Sequence, residues 1–361
     1  MHRIVIGLAA AVSLFAIGSA HAQSVAINPA LAKVIDGAKK EGKLVLRHAP
    51  TVMGGPDGAR IAQAGIKAQF GVDIAVDWSP GAAFGPLASQ LYQELQAGAP
   101  SSTDVYYGTP VQIVPYMEKG MFQPVDWAAL LPSRITPKMV EADNLALRVS
   151  VALPGIMYNP KIATWVAGIN TTDDLLNPSL KGKYVTTPFL GGFDVLLAND
   201  VWGVDKTRAF IEKFAQQIGG LLFCGGQDRI ASGEFQALVI DCAGTWQNTL
   251  KYRGQGVLDN HIIKDMAQRR YAYLTLMKNA AHPNAGILFT LFMLSHEGQE
   301  KVMWDYFGQD DDDLPDSHMR QAVQQLQAQN IKTIDVTMDW WRSHPGIEKA
   351  NIDLAKLVAG H

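Results

Sequence analysis

Tyr271–Phe307, YAYLTLMKNAAHPNAGILFTLFMLSHEGQEKVMWDYF, is the stretch whose reading decides the fold. Its opening, Tyr271–Met277, is apolar and aromatic and predicts a strand. Asn279-Ala280-Ala281-His282 is a polar break. Pro283 then suits a first helical position, where a missing N–H costs nothing. Ile287, Leu288, Phe289, Leu291, Phe292, Met293 and Leu294 cover nearly every face of the following turns. A helix of that kind is buried, and this one is too short to span a bilayer. Ser295 is placed to cap a second helix, with Glu297 in its first turn favoured by the helix dipole. Val302, Met303, Tyr306 and Phe307 give that helix an apolar stripe.

The chain around this stretch has 361 residues, enough for two domains of ordinary size. With 48% hydrophobic and 18% charged residues, it has the composition of a globular protein with a sizeable core. A net charge of −3 argues against nucleic acid as a partner, because basic charge drives that binding. Met1–Ala22 reads as a signal peptide: His2 and Arg3, an apolar run from Ile4 to Ile17, then Ala20-His21-Ala22 as a small-x-small cleavage site. Cleavage after Ala22 removes Arg3 and leaves a mature charge of −3 − 1 = −4. No cysteine directly follows the cleavage site, so a lipid anchor is not expected; the mature protein is expected to be soluble, exported and a monomer.

Upstream of the deciding stretch, strand and helix patterns alternate. Pro29–Lys40 predicts an amphipathic helix, Lys43–His48 a strand, Arg60–Phe70 a helix, Val72–Trp78 a strand, Phe84–Ala97 a helix and Asp104–Tyr107 a strand. That order implies parallel strands with helices on their faces. Val111–Lys119 predicts a further helix. Leu145–Tyr158, broken at Pro154-Gly155, predicts a crossing into a second α/β unit. There, helices are expected over Gly191–Trp202 and Lys206–Gln216, strands over Leu221–Cys224 and Gln236–Cys242, and a helix over Gln227–Gly233. Gln309–Asp313 reads as a solvated acidic loop, Met319–Gln329 as a polar helix and the remainder as a tail ending in a helix.

Several segments resemble the solute-binding proteins of ABC importers. AAHPNAGILFTLFMLSHEGQ (280–299) is similar to that family's "apHPnAA…fllSxeGQ", which follows the return from the second lobe to the first. KKEGKLVLRHA (39–49), PYMEKGMFQPVDW (115–127), ALPGIMYNPKI (152–162) and TTDDLLNPSLKGKYV (171–185) resemble other family segments, in the family's order. The resemblance implies the two-lobed type II periplasmic-binding fold: α/β lobes, each a mostly parallel sheet flanked by helices, with a ligand cleft between them. The lobes expected are 23–150 plus 272–297 and 151–271 plus 298–361. Part of the family binds ferric ion through a Tyr-Tyr pair just after the strand that here reads QALVIDC. This chain has Ala243-Gly244-Thr245-Trp246 there, against that mechanism. Tyr106-Tyr107 lies on the third strand instead, as core.

In open α/β sheets, ligands collect at strand carboxyl ends, where helix N-termini favour anions. The ligand-binding candidates are therefore His48 and Thr51 after the first strand, Ser79, Gly81 and Ala82 after the second, and Gly108 and Thr109 after the third. In the second lobe they are Gly191, Gly192, Gln227, Asp241, Thr245 and Trp246, with Tyr158 on the crossing. Ordinary turn chemistry is the alternative for any one of them. His282 is read as a local hydrogen-bonding residue. No H-E-x-x-H, C-x-x-C or G-x-S-x-G motif appears, so neither catalytic residues, a metal site nor a cofactor is expected. Cys224 and Cys242 each end a predicted strand. If the strands are parallel neighbours, the ends lie about 5 Å apart and favour a disulfide over two buried thiols. The function expected is an exported ABC solute-binding component that traps a small polar, anionic ligand and delivers it to membrane permease subunits. A ferric or metal-chelate binder, an enzyme on the same scaffold, and a ligand sensor for a membrane receptor remain as alternatives.

Overall fold

The computed structural model describes residues 26–223, 226–241 and 254–360. The leader and Cys224, Cys242, Thr245 and Trp246 lie outside the described residues. The deciding stretch forms as read. Strand Gln268–Met277 is followed by helix Pro283–Met293, whose residues from Ala285 to Met293 are all buried. Ser295 accepts a hydrogen bond from Gly298 N–H, capping the next helical segment.

Helix α1 (Pro29–Glu41) is amphipathic and buries Leu31, Val34, Ile35 and Ala38. Asn28 caps it, and Gly42, in the left-handed region at φ 62°, ends it. It leads into β1 (Lys43–His48), whose alternate residues Leu44, Leu46 and His48 are buried. Then come α2 (Gly55–Phe70), β2 (Ala75–Pro80), α3 (Phe84–Gln96), β3 (Val105–Gly108) and α4 (Pro110–Met117). Strands β1 and β2 run parallel, Lys43 opposite Ala75 and His48 opposite Pro80. β3 is fastened beside β1 by side chains: Val45 N–H donates to Asp104 Oδ2 at 2.7 Å and Arg47 N–H to Thr103 Oγ1 at 3.1 Å.

The chain crosses through β4 (Ala146–Ala152) and β5 (Gly155–Tyr158), with Leu153-Pro154 between them. Proline has no N–H for a ladder, so the sheet is interrupted there. β5 pairs antiparallel with β6 (Ala237–Asp241) and β7 (Asp259–His261). The return strand, β8 (Gln268–Met277), pairs antiparallel with both β3 and β4 and parallel with β9 (Ile334–Val336). Among the strands named, parallel pairing holds for β1–β2 and β8–β9, and the pairs made by the crossing strands β4 and β5 are antiparallel.

One core joins α1, β1 and α2 to the buried helix α6 (Pro283–Met293), and includes Leu46, Ile66, Leu288, Phe292, Val302, Met303 and Leu314. Fully burying one such side chain contributes about 1.5–3 kcal/mol. In the second unit, α5 (Val204–Ala215) presents Phe210 and Phe214 to Phe193 and Tyr184, with ring centroids 5.2–6.2 Å apart. The last helix, α7 (Ile347–Val358), packs on α5.

Three sequence expectations are corrected. Gly191–Trp202 is not a helix. Only Asp194–Leu197 makes a 3-10 turn, because Gly192 and Gly203 take φ 85° and 78°. Leu221 makes a single parallel bridge to Thr186 rather than a strand. Gln309–Asp313 is not solvated: Asp310, Asp311 and Asp312 are 2%, 0% and 6% exposed. Arginines account for that burial. Arg148 on β4 pairs with Asp311 and Asp313, and Arg269 on β8 pairs with Asp312. A paired carboxylate tolerates desolvation that an isolated one does not.

Candidate functional site

The parallel register puts the carboxyl ends of β1 and β2 side by side, and β3 ends on the same edge. This brings His48, Ser79, Gly81, Gly108 and Thr109 together, with Thr51 and Ala82 exposed on adjoining loops. Gly81 N–H donates to His48 C=O at 2.7 Å, closing the turn after β2 against the end of β1. Ser79 is the penultimate residue of β2, opposite Arg47. Gly108 is needed for close packing, since a Cβ there would stand 2.6 Å from a Tyr106 ring carbon.

Thr109 serves its own helix. Its N–H and hydroxyl both donate to Gln112 Oε1, at 3.1 and 2.7 Å, at the start of α4. The start of α6 is filled by a carboxylate: Asn284 and Ala285 N–H donate to Glu41. Just before it, His282 meets Asp104 through its N–H and Nδ1, as a local hydrogen-bonding residue. By contrast, α3 has no side-chain cap and no acidic residue in its first turn.

His48 is 2% exposed, and neither ring nitrogen has a partner. Its ring lines a cavity of about 10 Å³ with Leu46, Val52, Met53, Trp78 and Phe289. Burial pushes the imidazole down to about 4, so it is neutral at pH 7. Arg47, which sequence reasoning passed over, is half-buried with its Nε unpartnered. Tyr106 and Tyr107 are core: their hydroxyls meet Phe84 C=O and Ser150 Oγ at 3.0 Å, and burial pushes both phenols upward. Among the described residues, no group of three His, Cys, Asp or Glu is arranged to hold a metal ion.

In the second unit, Asp241 ends β6, fully buried, opposite Gly155. Tyr158 sits opposite Ala237, at the other end of β6. Four residues of strand, roughly 13 Å, separate the two, so Tyr158 and Asp241 do not meet in one site. Gly191 N–H donates to Thr187 Oγ1 at 2.8 Å, and Gly192 C=O accepts from Gln268 Nε2 at 2.8 Å. This turn is anchored to the return strand, where Arg270 also holds Asp194 through two hydrogen bonds of 2.7 Å. Gln227 opens a short helix, with Oε1 buried and unpartnered. Thr186, fully buried with Oγ1 unpartnered, joins it as a residue the sequence did not single out.

No protein-family model and no curated protein matches the chain. Solved structures do. Iron-bound HitA from Pseudomonas aeruginosa superposes with a TM-score of 0.58 at 17% identity, covering 73% of this chain and 84% of that one. AfuA from Actinobacillus pleuropneumoniae, with fructose-6-phosphate bound, gives 0.60 at 19% identity, covering 88% and 97%. The spermidine/putrescine substrate-binding protein PotD from Streptococcus pneumoniae gives 0.64 at 13% identity, covering 88% and 99%. The chain has the two-lobed type II periplasmic-binding fold.

Proposed function

We propose that this protein is the exported solute-binding component of an ABC importer, closing two lobes on a small polar anion and presenting it to membrane permease subunits. One observation carries the reading. Among the described residues, the buried polar side-chain atoms without partners include Arg47 Nε and both His48 ring nitrogens at the end of β1, and Thr186 Oγ1 and Gln227 Oε1 in the second unit. A buried polar group is normally paired, so an unpaired one near a strand's carboxyl end is a place for a ligand to complete the structure. The iron, sugar phosphate and polyamines for which the similar proteins are named or were solved differ in charge and kind, so ligand identity is argued from this chain's own residues.

On this reading the leader is removed after Ala22, the mature chain works in the periplasm as a monomer, and catalysis plays no part. Among the described residues, no helix is long and apolar enough to cross a membrane. One lobe comprises 23–150 with 272–297 and the other 151–271 with 298–361. The packing of Val302, Met303 and Leu314 against α2 and α6 favours reassigning 298–314 to the first lobe.

The test is a thermal-shift screen of residues 23–361 against small carboxylates, phosphate esters, polyamines, sugars, and ferric ion with and without citrate. A ligand at 100 times its Kd adds about 2.7 kcal/mol, several degrees of melting temperature at this size. A shift from one anionic class supports the reading. A shift with ferric ion alone favours the metal-binding alternative, and turnover of a bound compound favours an enzyme.

A further inference from the structure

We propose that Arg47 is the residue that selects the ligand's charge, by holding a carboxylate or phosphate group at the turn between β2 and α3. The inference rests on the cleft reading above and adds to it a residue and a chemical class.

Among the described residues, Arg134, Arg148, Arg269, Arg270 and Arg320 are each at least half-buried, and each donates to a carboxylate or carbonyl. Arg47 is half-buried as well, but its side chain has no such acceptor, and its Nε is removed from solvent. A guanidinium cannot shed its charge to relieve this, as a buried histidine or lysine can. An unmet buried donor on a charged group costs stability, and a fold keeps one where something outside the chain completes it. Guanidinium presents parallel N–H donors that match the two oxygens of a carboxylate or phosphate.

The surroundings agree. Arg47 runs past Gly81, where an added Cβ would stand 3.1 Å from Arg47 Cγ and 3.3 Å from His48 N. Gly81 therefore leaves open the space beside the arginine. No carboxylate of the described residues pairs with Arg47 to neutralise it. His48, next in sequence, turns its ring to the opposite, buried face of β1, so Arg47 alone supplies a side-chain donor to this turn from β1.

The experiment compares the wild-type mature chain with Arg47→Met, Arg47→Lys and Arg47→Gln by melting temperature and titration calorimetry. The probes are glycerol 3-phosphate, inorganic phosphate, citrate and acetate, with glycerol, glucose and spermidine as neutral and cationic controls. The expected result is binding of anions alone, weakened roughly 10- to 100-fold in Arg47→Met and less in Arg47→Lys. Without ligand, Arg47→Met should melt at the wild-type temperature or above it, because the unmet donor is gone. Binding of citrate and acetate without the phosphates, or the reverse, names the source of the oxyanion. Equal anion affinity in wild type and Arg47→Met overturns this inference while the cleft reading stands; binding of the controls only overturns it together with the anionic ligand class. Binding of none of the probes, or of the compounds of the wider screen, overturns both. Loss of folding or of ligand-free stability in all three variants shows a structural arginine and overturns the proposal.

Discussion

Arg148 on β4 and Asp311 form a buried two-pronged ion pair: Nε to Oδ2 at 2.7 Å and Nη2 to Oδ1 at 3.0 Å, with side chains 5% and 0% exposed. The pair fastens the acidic segment to the crossing strand, where Val151 N–H also donates to Asp310 C=O. Asp311→Ala removes both prongs of this pair, leaves the buried guanidinium only Asp313 as a carboxylate partner, and should cost up to about 3–5 kcal/mol in urea unfolding. The combined Arg148→Met, Asp311→Leu variant should recover most of that loss. A loss below about 1 kcal/mol in the single variant would instead mean that the pair behaves like an exposed one.

A second prediction concerns acid. In the folded chain the buried His48 imidazole accepts a proton only near pH 4, whereas an unfolded chain's histidine does so near 6.5. Between those values the unfolded state binds more protons, so stability falls as pH falls. The stability at issue is complete above pH 6.5 and gone below pH 4, about 3 kcal/mol in all. Asp310 and Asp312, raised chiefly by burial, act in the opposite direction near their own range, so the comparison must be differential. The difference in unfolding free energy between wild type and His48→Leu should change by that amount from pH 7 to pH 4. Parallel pH profiles would show that His48 is not buried neutral.

A third prediction tests the packing of α2 on α6. A Cβ at Gly65 would lie 2.0 Å from a Phe292 ring carbon, so Gly65→Ala cannot fit without displacing the ring. Overpacking of this kind costs about 1–3 kcal/mol. Phe292→Leu alone destabilises by leaving space, and the double variant should lose less than the sum of the two. Strict additivity in this double-mutant cycle would show that the helices do not meet there.

What the sequence revealed and what it hid have separable physical causes. Helices α1, α3, α5 and α6 were legible because their apolar stripes and end residues act locally: Asn28 and Gly42 bound α1, and Pro283 starts α6. The burial of Asp310–Asp312 was not legible, because it depends on Arg148 and Arg269, some 160 and 40 residues away in sequence. The Gly191–Trp202 segment has helical composition after its glycines, yet its turn is held by Gln268 and Arg270 on a distant strand. At the candidate site, the edge formed by β1, β2 and β3 followed from alternating strands and helices. Tyr158 was placed by its proximity to the crossing alone, and the β5–β6 register carries it to the far end. Arg47 escaped notice because its defining property, a buried donor with no acceptor, exists only once the chain is folded.

The central claim is a two-lobed trap that closes on its ligand. Small-angle scattering of residues 23–361, with and without the compound giving the largest melting shift, tests it most directly. The radius of gyration should fall with saturating ligand and stay unchanged with a non-binding control. Identical scattering curves at a ligand concentration shown by calorimetry to saturate the protein would contradict closure of the lobes.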